Sequence, residues 1–232
     1  MIFRLLYFYL FLMKKREGFR YIKGEVAHVK DNFLPADTAQ YMERLQNDVP
    51  WERMRWGRGF LPRLIFRCDQ GMRWPEPIQE LKDRTEETFQ CTVRAAWCNF
   101  YRSGSDYTPP HQDNYGSHVI TWSFGGSRRF VTDSIKDKTK NEYLLDDGDV
   151  FYFSPGFDSR HRHSIPKTSK VVDPRISIVF FSDQPYCGSH WHNQVDRPFG
   201  GSYPEGLEIG VPTDLKLFME RLLGVHLVVL PK

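Results

Sequence analysis

Long hydrophobic runs are missing from this 232-residue chain. Its longest uninterrupted apolar stretch, Leu5–Met13, is nine residues, whereas a bilayer-spanning helix needs about 20. Lys14, Lys15 and Arg16 then stand where a signal peptide would place small residues for cleavage. No stable membrane span is expected. Cysteine is also scarce. Cys68, Cys91, Cys98 and Cys187 form no C-x-x-C pair, which argues against a disulfide framework and suits reduced thiols in an intracellular protein, cytoplasmic or nuclear. Cys187, His190 and His192 offer three donors without a clear fourth, a weak zinc pattern. No internal repeat or long low-complexity tract interrupts the chain, and a net charge of +3 is too mild to name a partner. The length reads most simply as one domain with a substantial core.

Aromatic residues, at 15%, are plentiful, and arginine is unevenly placed. Residues 51–75 hold six arginines against two acids, with Trp51, Trp56 and Trp74 interleaved. Such a segment suits phosphate contact and base stacking. The alternative is a solvated arginine face over core tryptophans.

Helical signals come first along the chain. Ala39, Met42 and Leu45 recur at three-residue spacing behind Asp37, an expected N-cap. Pro77 opens a second run carrying Ile78, Leu81 and Phe89. From Cys91 onward, TVRAAWCNFY, HVITWSFG, SRRFVTDS, DVFYFSP and RISIVFFSD read as short strands separated by turn-like RSGSD, SIKDKTKN and DDGD. This order predicts an α+β domain whose second part is a sandwich or barrel. After Pro185 the tail is rich in glycine and proline until TDLKLFMERLLG, an expected short amphipathic helix.

The chemistry concentrates in the strand region. Residues i and i+2 of a strand share a face, so His111 and Asp113 in PPHQDN can meet one ion. A histidine from another strand would complete two imidazoles and a carboxylate, the facial set of non-heme Fe(II) oxygenases. His161 and His163 in DSRHRHSIP both qualify, because they too lie two apart. Arg175 heads an apolar strand, where burying it calls for an anion and its planar fork suits a carboxylate. Asn99 and Tyr101 share a strand face and offer an amide and a phenol to the same small ligand.

Seven pieces in order carry a family resemblance: LPR (Leu61–Arg63), NFY (Asn99–Tyr101), HQD (His111–Asp113), SFGGSRRF (Ser123–Phe130), DGDVFYF (Asp147–Phe153), HSIP (His163–Pro166) and RIS (Arg175–Ser177). Across residues 27–183 the sequence resembles the AlkB-like Fe(II)/2-oxoglutarate-dependent dioxygenases. The resemblance implies a double-stranded β-helix, jelly-roll-like, with flanking N-terminal helices. It divides the chain into an apolar and basic extension at 1–26, a helical, nucleotide-lid-like segment at 27–90, the catalytic core at 91–183 and a tail at 184–232.

The family's distal ligand is a histidine before a small residue and then Ile or Val, which selects His163 over His161. His111, Asp113 and His163 would then hold Fe(II). Arg175, helped by Tyr101, would pair with the distal carboxylate of 2-oxoglutarate, and Asn99 and Ser177 would contact its other end. With O2, the implied reaction is oxidative demethylation of alkylated nucleic acid, releasing succinate, CO2 and formaldehyde. The substrate would be methylated and either single-stranded or flipped out of a duplex. Trp56, Arg58, Arg63 and Tyr115 are the expected substrate contacts, and Arg128 and Arg129 would extend the basic surface.

Two positions depart from the family pattern. Phe181 stands where a second arginine is usual, and Tyr115 where an acid often reads the base edge. The alternatives are a protein hydroxylase or demethylase on the same scaffold, or an inactive barrel that binds nucleic acid or protein.

Overall fold

The computed structural model describes residues 19–21, 26–29, 38–113, 116–183, 185–188 and 195–196. The N-terminal part contributes strands β1 (Phe19–Tyr21) and β2 (Val26–Val29), helix α1 (Thr38–Asp48), and strands β3 (Arg55–Trp56), β4 (Gly59–Phe60) and β5 (Leu64–Cys68). Helix α2 (Glu76–Phe89) leads into β6 (Val93–Tyr101), β7 (Thr108–His111), β8 (His118–Gly125), β9 (Arg128–Ser134), β10 (Lys140–Leu145) and β11 (Val150–Phe153). A short helix, α3 (Pro155–Arg160), runs directly into β12 (His161–Ile165). Strands β13 (Arg175–Ser182), β14 (Tyr186–Gly188) and β15 (Val195–Asp196) follow.

Two antiparallel sheets face each other. The larger has the order β15-β2-β11-β8-β13-β6-β5, and the smaller β10-β9-β12-β7. From β6 to β13 the chain passes repeatedly between them, as a jelly-roll requires. Helices α1 and α2 pack on the outer face of the larger sheet, so its central strands are covered on both sides. That explains why HVITWSFG and RISIVFFS are apolar at nearly every position rather than alternating. Leu45, Ile78 and Leu81 from the helices meet Trp122, Ile178 and Phe180 from the sheet. The Trp122 indole donates to Thr85 Oγ1 at 2.9 Å, which satisfies its one polar atom inside this layer.

The helices follow the expected runs with one change of phase. α1 buries Tyr41 and Leu45, while Ala39 is exposed. The Tyr41 hydroxyl donates to the Pro77 carbonyl, linking α1 to α2. The expected cap Asp37, the tail helix and His190 and His192 lie outside the described residues. The lid-like segment also contains more strand than its helical signal suggested, because β5 forms the edge of the larger sheet.

Two glycines set the start of β13. Gly125 has a φ of +79°, and side chains at Gly125 and Gly126 would collide with Pro174 O and Asp173 O at 2.4 and 2.2 Å. Their absence lets the 173–174 segment close on β8, with Gly126 N–H donating to Pro174 O at 2.9 Å. Arg175 is thereby brought opposite Gly125 and Tyr101.

Arg128 does not extend a basic surface. It is buried, and its guanidinium donates to the carbonyls of Ser103, Asp106 and Pro166 at 3.2, 2.9 and 2.8 Å. Arg129 is exposed and pairs with Glu142. Arg128→Ala strips three carbonyls of their donor and lowers folding stability by about 3 kcal/mol, measured as a fall in the urea midpoint. Arg129→Ala changes it by less than about 1 kcal/mol.

Candidate metal and cosubstrate site

β7 and β12 are neighbours in the smaller sheet, and their register sets His163 directly opposite His111. Asp113 follows two residues after His111, at the end of β7. Its two carboxylate oxygens lie 3.5 Å from His111 Nε2 and 3.6 Å from His163 Nε2. One donor atom from each of the three residues falls within 4.8 Å of the others. His111 Nδ1 donates to the Pro109 carbonyl at 2.9 Å, which leaves Nε2 facing the cluster with its lone pair.

The protonation of His163 and Asp113 suits this role. Burial pushes His163 down to about 4, so the ring is neutral and its nitrogen is free to donate at neutral pH. Burial opposes charge on Asp113, but the two histidines outweigh it and hold the carboxyl below its usual range. Burial also opposes charge on His111, and there contact with Asp113 prevails and raises the pKa. Two imidazoles and one carboxylate facing one point fit a divalent transition metal with open positions.

The cluster forms one wall of a cavity of about 290 Å³. β13 supplies its floor through alternate residues: Arg175, Ser177, Val179 and Phe181. The polar end is tightly organised. Arg175 is 1% exposed, and its Nη2 donates to Ser123 Oγ at 2.9 Å. Its Nε and Nη1 have no hydrogen-bond partner among the described residues. Burial pushes this guanidinium down to about 10. The Tyr101 ring lies 5.4 Å from it, and the Tyr101 hydroxyl meets Thr108 Oγ1 at 2.7 Å. Asn99 joins the same surface, accepting from Arg63 Nε at 2.7 Å and donating to Ser177 Oγ at 3.4 Å. Two unpartnered guanidinium nitrogens at the base of a cavity fit a carboxylate.

No protein-family model matches the chain. Mouse ALKBH2, a DNA oxidative demethylase, is 24% identical over 120 residues, covering 46% of this chain and 50% of its own length. The chain spans about half the length of the curated relatives it matches. Among solved structures, OsALKBH1 superposes with a TM-score of 0.52 at 14% identity, over 70% of this chain and 100% of its own. A Burkholderia pseudomallei oxidoreductase of the 2OG-Fe(II) oxygenase family does so with a TM-score of 0.50 at 17% identity, over 68% and 85%. The chain is thus similar in sequence to an AlkB-like demethylase and in fold to 2OG-Fe(II) oxygenases. Its jelly-roll core is the fold those structures share.

In this chain the expected substrate contacts separate. Trp56 is 68% exposed, at the cavity rim on the β3–β4 hairpin. Arg58 is exposed on the turn of that hairpin and does not line the cavity. Arg63 lines the cavity but is buried and turned inward onto Asn99, so it offers no surface contact for phosphate. Tyr115 lies outside the described residues. Trp51 and Trp74 follow the alternative reading of that segment and pack in the core against Phe100 and Phe180. The arginine- and tryptophan-rich segment is therefore part core and part exposed rim.

His161 stands outside the cluster. It stacks on Phe157 at 4.0 Å, and its Nδ1 donates to the Phe157 carbonyl at 3.0 Å. Sequence reasoning missed Gln112 and Asp158. The Gln112 amide donates to the carbonyls of Asp158 and Ser159, and Asp158 Oδ1 accepts the Asp113 backbone N–H at 3.1 Å. The available signal was a carboxylate five residues before a metal-ligand histidine. His163→Ala should abolish iron-dependent conversion of 2-oxoglutarate to succinate, whereas His161→Ala should retain most of it. A succinate assay on the two purified variants makes the comparison.

Proposed function

We propose that this protein is an Fe(II)- and 2-oxoglutarate-dependent dioxygenase that demethylates alkylated nucleic acid. The observation that carries the reading is that His111, Asp113 and His163 converge in the cavity that also holds the buried Arg175 guanidinium, two of whose nitrogens have no partner among the described residues. His111, Asp113 and His163 would hold the iron. Arg175 would take the distal carboxylate of 2-oxoglutarate, with the Tyr101–Thr108 hydroxyl pair beside it and Asn99 and Ser177 toward the other end. When bound, Fe(II), 2-oxoglutarate and O2 supply a coupled oxidation that yields succinate and CO2, oxygenates a substrate C–H bond and, on an N-methyl group, ends in loss of formaldehyde.

The chain's own residues position the reactants and keep the cavity dry. Trp97, Phe130, Phe153, Val179 and Phe181 line the remaining walls, so the reacting group meets apolar side chains rather than water. Phe181 makes apolar the place where the family usually sets its second arginine.

The nucleic-acid assignment draws on the ALKBH2 relatives and on the rim. Arg53, Arg55, Trp56, Arg58 and Phe60 are all exposed on or beside the β3–β4 hairpin, with the Arg53 guanidinium 4.8 Å from the Phe60 ring. Cations for phosphates beside aromatic faces for bases make a single-strand or flipped-base docking edge. Among the described residues no helix is long and apolar enough to cross a membrane, and an intracellular setting suits both the buried free thiols and this substrate.

A panel of methylated single-stranded DNA and RNA and methylated peptides, assayed for succinate and formaldehyde, tests the reading. Formaldehyde release from an oligonucleotide is expected, and turnover confined to peptides would overturn the nucleic-acid assignment. Oligonucleotide affinity should fall steeply with salt. Replacing Arg53, Arg55 and Arg58 together should reduce the log–log salt slope by about 3 on duplex, or about 2 on single strands.

A further inference from the structure

The two imidazoles of the cluster are held in different ways. A histidine that ligates through Nε2 must carry its hydrogen on Nδ1, and the partner of that hydrogen fixes the ring. His111 has the Pro109 carbonyl for this purpose. His163 Nδ1 is buried and has no hydrogen-bond partner among the described residues. What faces it is a carboxylate, Asp158 Oδ1, at 3.6 Å, just beyond hydrogen-bond length. The same oxygen already accepts the backbone N–H of Asp113. One oxygen atom therefore addresses two of the three cluster residues, which come from different strands.

Asp158 is built into this place. It is 5% exposed, although it lies in a charged stretch that reads as solvated. Helix α3 carries it: Ser154 caps that helix by accepting the Phe157 N–H at 3.1 Å, and Pro155 fills the first turn. His161 closes the far end by stacking on Phe157. Gln112, between the ligand pair His111 and Asp113, turns away from the cluster and donates to the Asp158 and Ser159 carbonyls at 2.8 and 3.1 Å. The HQD segment and the α3–β12 junction are thus joined through both the side chain and the backbone of Asp158.

We infer that Asp158 is a positioning residue for metal binding: its carboxylate accepts the Nδ1 hydrogen of His163 and the backbone hydrogen of Asp113, holding both donors toward one point. A small rotation of either side chain brings His163 Nδ1 into hydrogen-bond range. The role is to orient, since Asp158 faces the side of His163 opposite the cluster. His161, two residues before the ligand, keeps the junction in place and takes no part in binding metal. The inference rests on the metal-site reading above.

The test uses the metal-free full chain and Co(II), followed by calorimetry and visible absorption. Wild type should bind one equivalent. Asp158→Ala should bind roughly ten- to a hundredfold more weakly, whereas Asp158→Asn, whose amide oxygen still accepts both hydrogens, should stay near wild type. His161→Ala serves as the control for a purely structural role: it should lower the melting temperature but leave Co(II) affinity unchanged. Wild-type affinity in a folded Asp158→Ala variant would overturn the inference, as would an Asp158→Asn variant as weak as the alanine variant. Should the alanine variant not fold, the long-range proton–nitrogen spectrum of wild type decides instead: the Nδ1–H tautomer at His163 supports the assignment, and the Nε2–H tautomer refutes it. If wild type and His163→Ala both fail to bind Co(II), the metal-site reading falls, and the inference with it.

Discussion

A buried guanidinium with two free nitrogens is the constraint around which the rest of this structure is arranged. Charge buried in a protein is costly unless it is paired and hydrogen-bonded. Arg175 has Ser123 on one nitrogen and an aromatic ring nearby, and its Nε and Nη1 have no partner among the described residues. Such a group persists in a folded protein when a ligand completes it. In the proposed function 2-oxoglutarate would complete it at one end and meet the His111–Asp113–His163 cluster with the other, since both line one cavity, and this ties the metal reading to the cosubstrate reading.

The fold keeps these two half-sites on opposing sheets. Arg175, Ser177, Asn99 and Tyr101 belong to the larger sheet, and His111 and His163 to the smaller. Strand register is what aligns them. A slip of one residue between β7 and β12 would turn one histidine out of the cluster, and the Gly125–Gly126 turn decides where β13 begins. Along β13 the inward residues change from arginine and serine to valine and phenylalanine, so the cavity is polar at the cosubstrate end and apolar toward Phe181. An aromatic and cationic hairpin stands at the rim. On the proposed function, anchoring, reaction and recognition would occupy successive parts of one cavity.

Much of this was legible in the sequence, for identifiable reasons. The central strands β6, β8, β11 and β13 are dense in β-branched and aromatic residues because both of their faces are covered. The HxD spacing and HSIP named the three cluster residues, and the structure brings them together. The edge strands were harder to see. β7 reads TPPH, and two prolines argue against a strand, but it lies at the margin of the smaller sheet, where one row of backbone N–H groups needs no partner. β10 is charged on alternate positions and sits at the opposite margin. Arg63 and Arg128 resembled surface cations because composition does not reveal that a guanidinium can be satisfied by an amide oxygen or by three backbone carbonyls. Asp158 was hidden for the same reason, as an acid, just ahead of two arginines, whose burial depends on a six-residue helix too short to leave a periodic signal.

The measurement that tests the central claim most directly is calorimetric titration of 2-oxoglutarate into the Fe(II)-loaded protein without oxygen. The account predicts one-to-one binding that requires the metal and is lost in Arg175→Met. Binding that is indifferent to iron or to Arg175, or no binding to a folded, metal-loaded protein, would contradict it.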